Sequence, residues 1–169
     1  MLYEMTVPYS IKALRNLSRI LDKAAQHAEA KKFDYEIFLN SRLAPDQFPL
    51  SRQIQIACDT AKLGASRLTG KPAPVHDDKE KTLSEFKKRI EETIGYLTDL
   101  SAKDYEGADQ RKITNPRWEN KYLTGEDYVH HHVLPNLYFH VTAAYMILRH
   151  NGVDIGKKDF LGELPFKSN

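Results

Sequence analysis

Four stretches of the chain space apolar residues three and four apart, the period that lines one face of an α-helix. In the first, Val7, Ile11, Leu14, Leu17, Leu21, Ala24, Ala25 and Ala28 mark a helix over 8–31, with Thr6 as N-cap and Pro8 in the first turn. In the second, Leu50, Ile54, Ala57, Ala61, Ala65 and Leu68 mark a helix over 50–69 that stops at Gly70. The third runs over 82–100 on Leu83, Phe86, Ile90, Ile94, Leu97 and Leu100 and opens on a capping box, Thr82 with Glu85. Its outer face reads as two i,i+4 ion pairs, Glu85–Arg89 and Lys88–Glu92. The fourth, over 125–151, carries Val133, Leu137, Val141, Ala144, Tyr145 and Leu148. Pro135 lies inside it; proline lacks the donor for one backbone bond and clashes with the carbonyl of His131, so a kink or fresh start is expected between His131 and Pro135.

The connections carry their own signals. Asp34 caps a short helix ending near Asn40, and Leu43-Ala44-Pro45-Asp46 reads as a turn. Lys71-Pro72-Ala73-Pro74 breaks the chain, and the charged run from Asp77 to Lys81 reads as solvated linker. Residues 111–123 suit a small β-hairpin with Trp118 and Tyr122 alternating onto one face, closing one end of the molecule. The tail from Val153 to Asn169 is expected to drape over the helices in extended form. The sum is an all-α four-helix bundle in a single domain, 1–169. Ile56 and Leu63 give the second helix another apolar face, which one core does not serve; the expectation is a homodimer that buries part of the first or second helix.

Composition narrows the function without naming it. Net charge is +2, from 25 basic and 23 acidic residues, which gives no reason to invoke nucleic acid or an anionic membrane. One cysteine, Cys58, excludes an intramolecular disulfide. The start, MLYEMTVPYS, lacks a basic segment followed by an apolar one, and no apolar run approaches the ~20 residues of a membrane span. A cytoplasmic protein is expected. No phosphate loop, nucleophile elbow, Cys-x-x-Cys pair or His-Glu-x-x-His is present.

Histidine is where chemistry concentrates. His130, His131, His132 and His140 fall within a short span of the fourth helix, and imidazole is both a common metal ligand and a near-neutral acid or base. On a helical wheel His140 flanks the core stripe and is expected to point inward, with Asn136 and His132 one and two i−4 steps before it. His27, His76, His130 and His131 read as surface residues, and His150 as a favourable charge at a helix C-terminus. Cys58 reads as a small core residue. Asp59 needs a partner if buried; Arg52, Lys62 or a histidine of the fourth helix are the candidates, and Gln55 stands one turn before it.

Two runs bear a resemblance. Leu43-Ala44-Pro45-Asp46-x-Phe48-Pro49-Leu50 with Gln53-Ile54-Gln55-Ile56-Ala57-Cys58-Asp59-x-Ala61-Lys62 is one. Leu134-Pro135-Asn136-Leu137-Tyr138-Phe139-His140, continuing to Leu148-Arg149-His150-Asn151-Gly152, is the other. Together they resemble a bacterial family of unknown function within the DinB/YfiT-like helical bundles. The resemblance implies an up-down-down-up four-helix bundle, frequently dimeric. In many members it implies a divalent metal on three histidines, one on the second helix and two at i,i+4 on the fourth. Registered on Leu148-Arg149-x-x-Gly152, one such ligand falls on His140 and another on Asn136, while Gln55, Cys58 or Asp59 stands near the second-helix place. One histidine of three is kept, so a tightly held zinc-like ion is not expected.

Three functional readings follow. The first is a polar pocket of Gln55, Asp59, Asn136 and His140 that binds a small molecule. The second is a metal-dependent, thiol-transferase-like enzyme with a degenerate site, its divalent ion held weakly by His140, Asp59 and His132. The third is a non-catalytic dimeric stress or interaction module.

Overall fold

In the computed structural model, which describes residues 1–168, the chain is mostly helical with one small antiparallel sheet. Four long helices share a core: α1 (Leu2–Lys31), α3 (Leu50–Thr69), α4 (Leu83–Thr98) and α6 (Leu134–His150), with the short α2 (Glu36–Asn40) between the first two. Helix α1 packs against α4 and α6, and α3 packs against the same two, so α1 and α3 face each other across the core. The apolar stripes meet there. Leu14, Leu17, Leu21, Leu50, Ile54, Leu68, Phe86, Ile90, Leu137 and Leu148 are all fully buried. Each such side chain contributes roughly 1.5–3 kcal/mol by leaving water. No helix among the described residues is long and apolar enough to cross a membrane.

Helix α1 begins six residues earlier than the apolar period suggests, and Thr6 is not its N-cap. The Thr6 hydroxyl instead donates to the Leu2 carbonyl at 2.7 Å, inside the helix. The buried face is carried through this turn by Leu2, Thr6 and Ser10, and two of the three are hydroxyl residues that no apolar period registers. Pro8 therefore sits within the helix, not in its first turn. Helix α4 starts at the expected capping box: the Glu85 amide donates to Thr82 Oγ1 at 3.3 Å, and the Thr82 amide donates to Glu85 Oε2 at 2.9 Å. Glu85 is thereby occupied. The expected Glu85–Arg89 surface pair is absent because Arg89 is turned inward and buried.

The expected break before Pro135 takes a definite form. A four-residue α5 (Gly125–Tyr128) runs into a π-helical turn, Val129–Val133, from which α6 starts afresh. The wider turn closes on a bond from the Leu134 amide to the Val129 carbonyl, five residues back, and leaves room for the proline ring. The turn packs tightly on α3: a Cβ added at Gly64 would lie 3.0 Å from Val133 Cγ1, so Val133 would have to give by a few tenths of an ångström to admit it.

Two connections depart from expectation. Strands β1 (Lys112–Thr114) and β2 (Tyr122–Thr124) form the hairpin, with Ile113 opposite Leu123. Trp118 does not alternate with Tyr122. It lies in a 3-10 turn, Pro116–Trp118, that the Asn115 side chain caps by accepting from the Arg117 amide at 3.0 Å. As far as Ser168 (Asn169 lies outside the described residues) the tail does drape over the helices, but it includes a short helix, α7 (Lys157–Leu161), anchored to α1 where Asn16 Nδ2 donates to the Phe160 carbonyl at 3.0 Å and Lys23 pairs with Asp159 at 2.6 Å.

Candidate functional site

Helix α3 meets α5 and α6 along a polar seam. On α3, Gln53, Thr60 and Arg67 stand seven residues apart, which keeps them on nearly one side of a helix. Each finds a partner on the facing segment. Gln53 Oε1 lies 2.7 Å from His140 Nδ1, Asn136 Nδ2 donates to Thr60 Oγ1 at 2.7 Å, and Arg67 donates to the Tyr128 hydroxyl at 2.8 Å. Beside the seam opens a cleft of about 500 Å³. Its walls include Arg52, Ile56, Asp59, Thr60, Leu63 and Arg67 of α3, Asn136 and His140 of α6, Tyr128 and His132 before it, Phe48, and Asn115 and Arg117 from the hairpin loop.

Of the sequence candidates, Asp59, Asn136, His132 and His140 line this cleft and Gln55 does not. Gln55 is buried on another side of α3, where it accepts from Arg52 at 3.0 Å and donates to Glu80 at 2.9 Å. Ile56 and Leu63, the second apolar face of α3, form part of the cleft wall. Gln53, Arg67 and Arg117 were not among the sequence candidates. The heptad spacing of Gln53, Thr60 and Arg67, polar residues threaded through an apolar helix, was the signal available.

His140 is the best-defined group. It is 6% exposed, and Gln53 fixes its tautomer. The Gln53 amide nitrogen donates to the Phe48 carbonyl at 3.0 Å, so its oxygen must face the ring and accept from Nδ1–H. Nε2 is then an unprotonated acceptor, and among the described residues it has no hydrogen-bond partner. Burial, and then the Arg52 charge, lower the imidazole from 6.5 to about 4, so it is neutral at pH 7. His132 is also lowered, by burial and then by Arg67; it stacks on Tyr128 at 5.1 Å between ring centroids, and its Nδ1 is buried with no partner among the described residues.

Asp59 belongs to a different network, centred on Arg89. That guanidinium, 2% exposed, donates to Asp59 Oδ1 at 2.7 Å, Asp78 Oδ1 at 2.6 Å and Glu80 Oε1 at 2.8 Å. Lys62 adds a second cation to Asp59 at 3.1 Å. The charged run at 77–81 is therefore not free linker: Asp78 and Glu80 clamp it onto α4. Burial raises both carboxyls, but hydrogen bonds and charge from Arg89, joined by Arg52 at Asp78 and by Gln55 and a backbone amide at Glu80, together hold them below the ordinary range. His76, read as a surface residue, is enclosed here, accepting from Lys62 at 2.6 Å and facing Glu92 at 3.1 Å. Cys58 is fully buried, its thiol pushed up to about 12 by burial, and serves as a core residue.

These contacts do not suit the divalent metal that the resemblance implies. Asp59 already faces two cations, Asn136 uses its amide on Thr60, and His140 offers one nitrogen. Among the described residues, no group of three or more His, Cys, Asp or Glu stands close enough to hold an ion.

The chain matches the family model of a domain of unknown function, DUF1993, over residues 2–161. It is similar to the crystal structure of a DinB family member from Shewanella denitrificans, at 54% identity and a TM-score of 0.97, covering 100% of this chain and 96% of that one. No curated protein matches it.

Two outcomes are expected. Replacing Arg89 by Met leaves Asp59, Asp78 and Glu80 without their shared cation; since those carboxylates are partly hydrated, the cost falls near the lower end of about 3–5 kcal/mol. Urea unfolding measures it, and hydrogen exchange should show faster amides at 76–80; unchanged exchange there contradicts the clamp. Separately, the unfolded chain binds a proton between pH 6.5 and about 4 that buried His140 refuses, so stability falls as pH drops through that window. His140→Gln should flatten this slope in denaturation curves taken across it.

Proposed function

For a chain that belongs to the DUF1993 family of DinB-like proteins, we propose that it is a small-molecule-binding protein whose site is the cleft beside His140. The observation that carries the reading is a buried, neutral imidazole with its tautomer fixed by Gln53 and its Nε2 lone pair unused, lining a cleft of about 500 Å³. That volume falls within the ~300–1,000 Å³ of small-molecule sites. Asn136, Thr60, Tyr128 and Asn115 supply further polar groups, and Phe48, Ile56 and Leu63 supply apolar ones.

The role of His140 is that of a hydrogen-bond acceptor. A general base near neutral pH needs its protonated form stabilised, usually by a carboxylate on the far nitrogen. Here the far nitrogen meets an uncharged amide, and the one nearby carboxylate, Asp59, is held by Arg89 and Lys62. Recognition is therefore favoured over proton transfer. The chain forms one domain over 1–169 as an up-down-down-up bundle. Two-dimensional spectra of protein carrying ¹⁵N-histidine, recorded against a fragment library of mixed charge, test the site. The reading expects a subset of fragments to shift the His140 ring nitrogens; a library that shifts none of them overturns it.

A homodimer is the second element of the proposal. It is favoured by exposed apolar side chains on α6, Tyr138, Phe139 and Met146, with exposed Tyr9 of α1 near Tyr138. Light scattering at tens of micromolar should give twice the 19.5 kDa chain mass. A value equal to one chain contradicts it.

A further inference from the structure

The charges around the cleft do not balance. Three arginines line it, Arg52, Arg67 and Arg117, against one carboxylate, Asp59. Asp59 is already matched by Arg89 and Lys62, and Arg52 is paired with Asp78 at 2.7 Å. Among the described residues Arg67 and Arg117 have no acidic partner within ion-pair distance, and Arg67 is oriented by the hydroxyl of fully buried Tyr128. The hairpin loop that brings in Arg117 is itself fixed, by Asn115 capping its turn. The Arg67 guanidinium, held in place without a counter-ion at the wall of the cleft, is suited to receive one, and exposed Arg117 stands on the same wall.

The other end of the cleft has the opposite requirement. His140 presents a lone pair, not a proton, so the group that meets it must donate an O–H or N–H. On the α6 side His132, beside Arg67, and His140 are eight residues apart, a separation on the order of 10 Å along a helix. We infer that the cleft takes an elongated organic anion, with a carboxylate or phosphate between Arg67 and Arg117 and a hydroxyl or amino donor directed at His140. This rests on the small-molecule reading above and adds the charge, polarity and length of the ligand.

A matched set of polyols tests it: sorbitol 6-phosphate, gluconate and uncharged sorbitol, each titrated by calorimetry into the full chain while the His140 ring nitrogens are followed by NMR. The inference expects at least one of the two anions to bind with Kd of about 1 mM or tighter, and at least about tenfold better than sorbitol. Whichever anion binds tighter separates a phosphate site from a carboxylate site. Arg117→Gln, at an exposed position outside the core, should weaken that anion by about tenfold, and added salt should weaken it further. Arg67→Gln should do the same provided its thermal unfolding is unchanged. Should neither anion bind at millimolar concentration, or should Arg117→Gln bind it undiminished, the inference falls. If sorbitol or other neutral compounds shift His140 as strongly as the anions do, the inference falls while the small-molecule reading stands. If nothing of any charge shifts it, both fall.

Discussion

A guanidinium out of water must be neutralised where it lies, and Arg89 imposes that constraint on half the molecule. Its side chain sits between α3 and α4 with almost no exposure, and three carboxylates converge on it from two segments. Removing such an ion from water costs several kcal/mol, so the geometry around it has little freedom. Asp78 and Glu80 must reach in, which holds the connection between α3 and α4 against the helices. Asp59 must face Arg89, which draws its charge away from the neighbouring cleft.

The character of the cleft follows from that commitment. With Asp59 spent on Arg89 and Lys62, no carboxylate among the described residues of the cleft wall is left to raise the basicity of His140 or to pair with Arg67 or Arg117. His140 takes an amide partner instead, one whose own orientation is set by the Phe48 carbonyl. The two features belong together: a neutral imidazole is tolerated beside arginines because it adds no further positive charge, and Arg52 helps keep it neutral. The seam Gln53–His140, Thr60–Asn136 and Arg67–Tyr128 serves as the floor, tying α3 to the segment from α5 to α6 at three levels. The π-helical turn between α5 and α6 lets Tyr128 and His132 reach the same cleft as Asn136 and His140 despite the break before Pro135.

Much of this was legible in the chain. The apolar stripes place α3 and α4 within two residues, because a 3.6-residue period survives in them uninterrupted; the single helix expected over 125–151 is instead divided into α5, the π-helical turn and an α6 that starts at Leu134. The period fails at the start of α1, where Thr6 and Ser10 take core positions by bonding within their own helix or burying a small side chain. Trp118 reads as a strand residue because its neighbours alternate, but Asn115-Pro116 closes a tighter turn and redirects it. For the site, the wheel position of His140 is enough to aim it inward. Its partner is harder: Gln53 and Gln55 are both polar residues on α3, two apart, and only the packed structure decides which faces α6. Arg89 is the largest gap. Its local sequence offers Glu85 as an i−4 partner, and nothing in that spacing reveals that Glu85 caps its own helix while Asp59, thirty residues away, claims the guanidinium.

The account turns on the state of one ring. A long-range ¹H–¹⁵N correlation spectrum of the histidine side chains at pH 7, with His140 assigned by its loss in His140→Gln, reads the protonation of each nitrogen directly. The account expects a neutral ring with the proton on Nδ1 and a bare Nε2. A proton on Nε2, or an imidazolium with both nitrogens protonated, contradicts it, since the cleft would then offer a donor where an acceptor has been assigned.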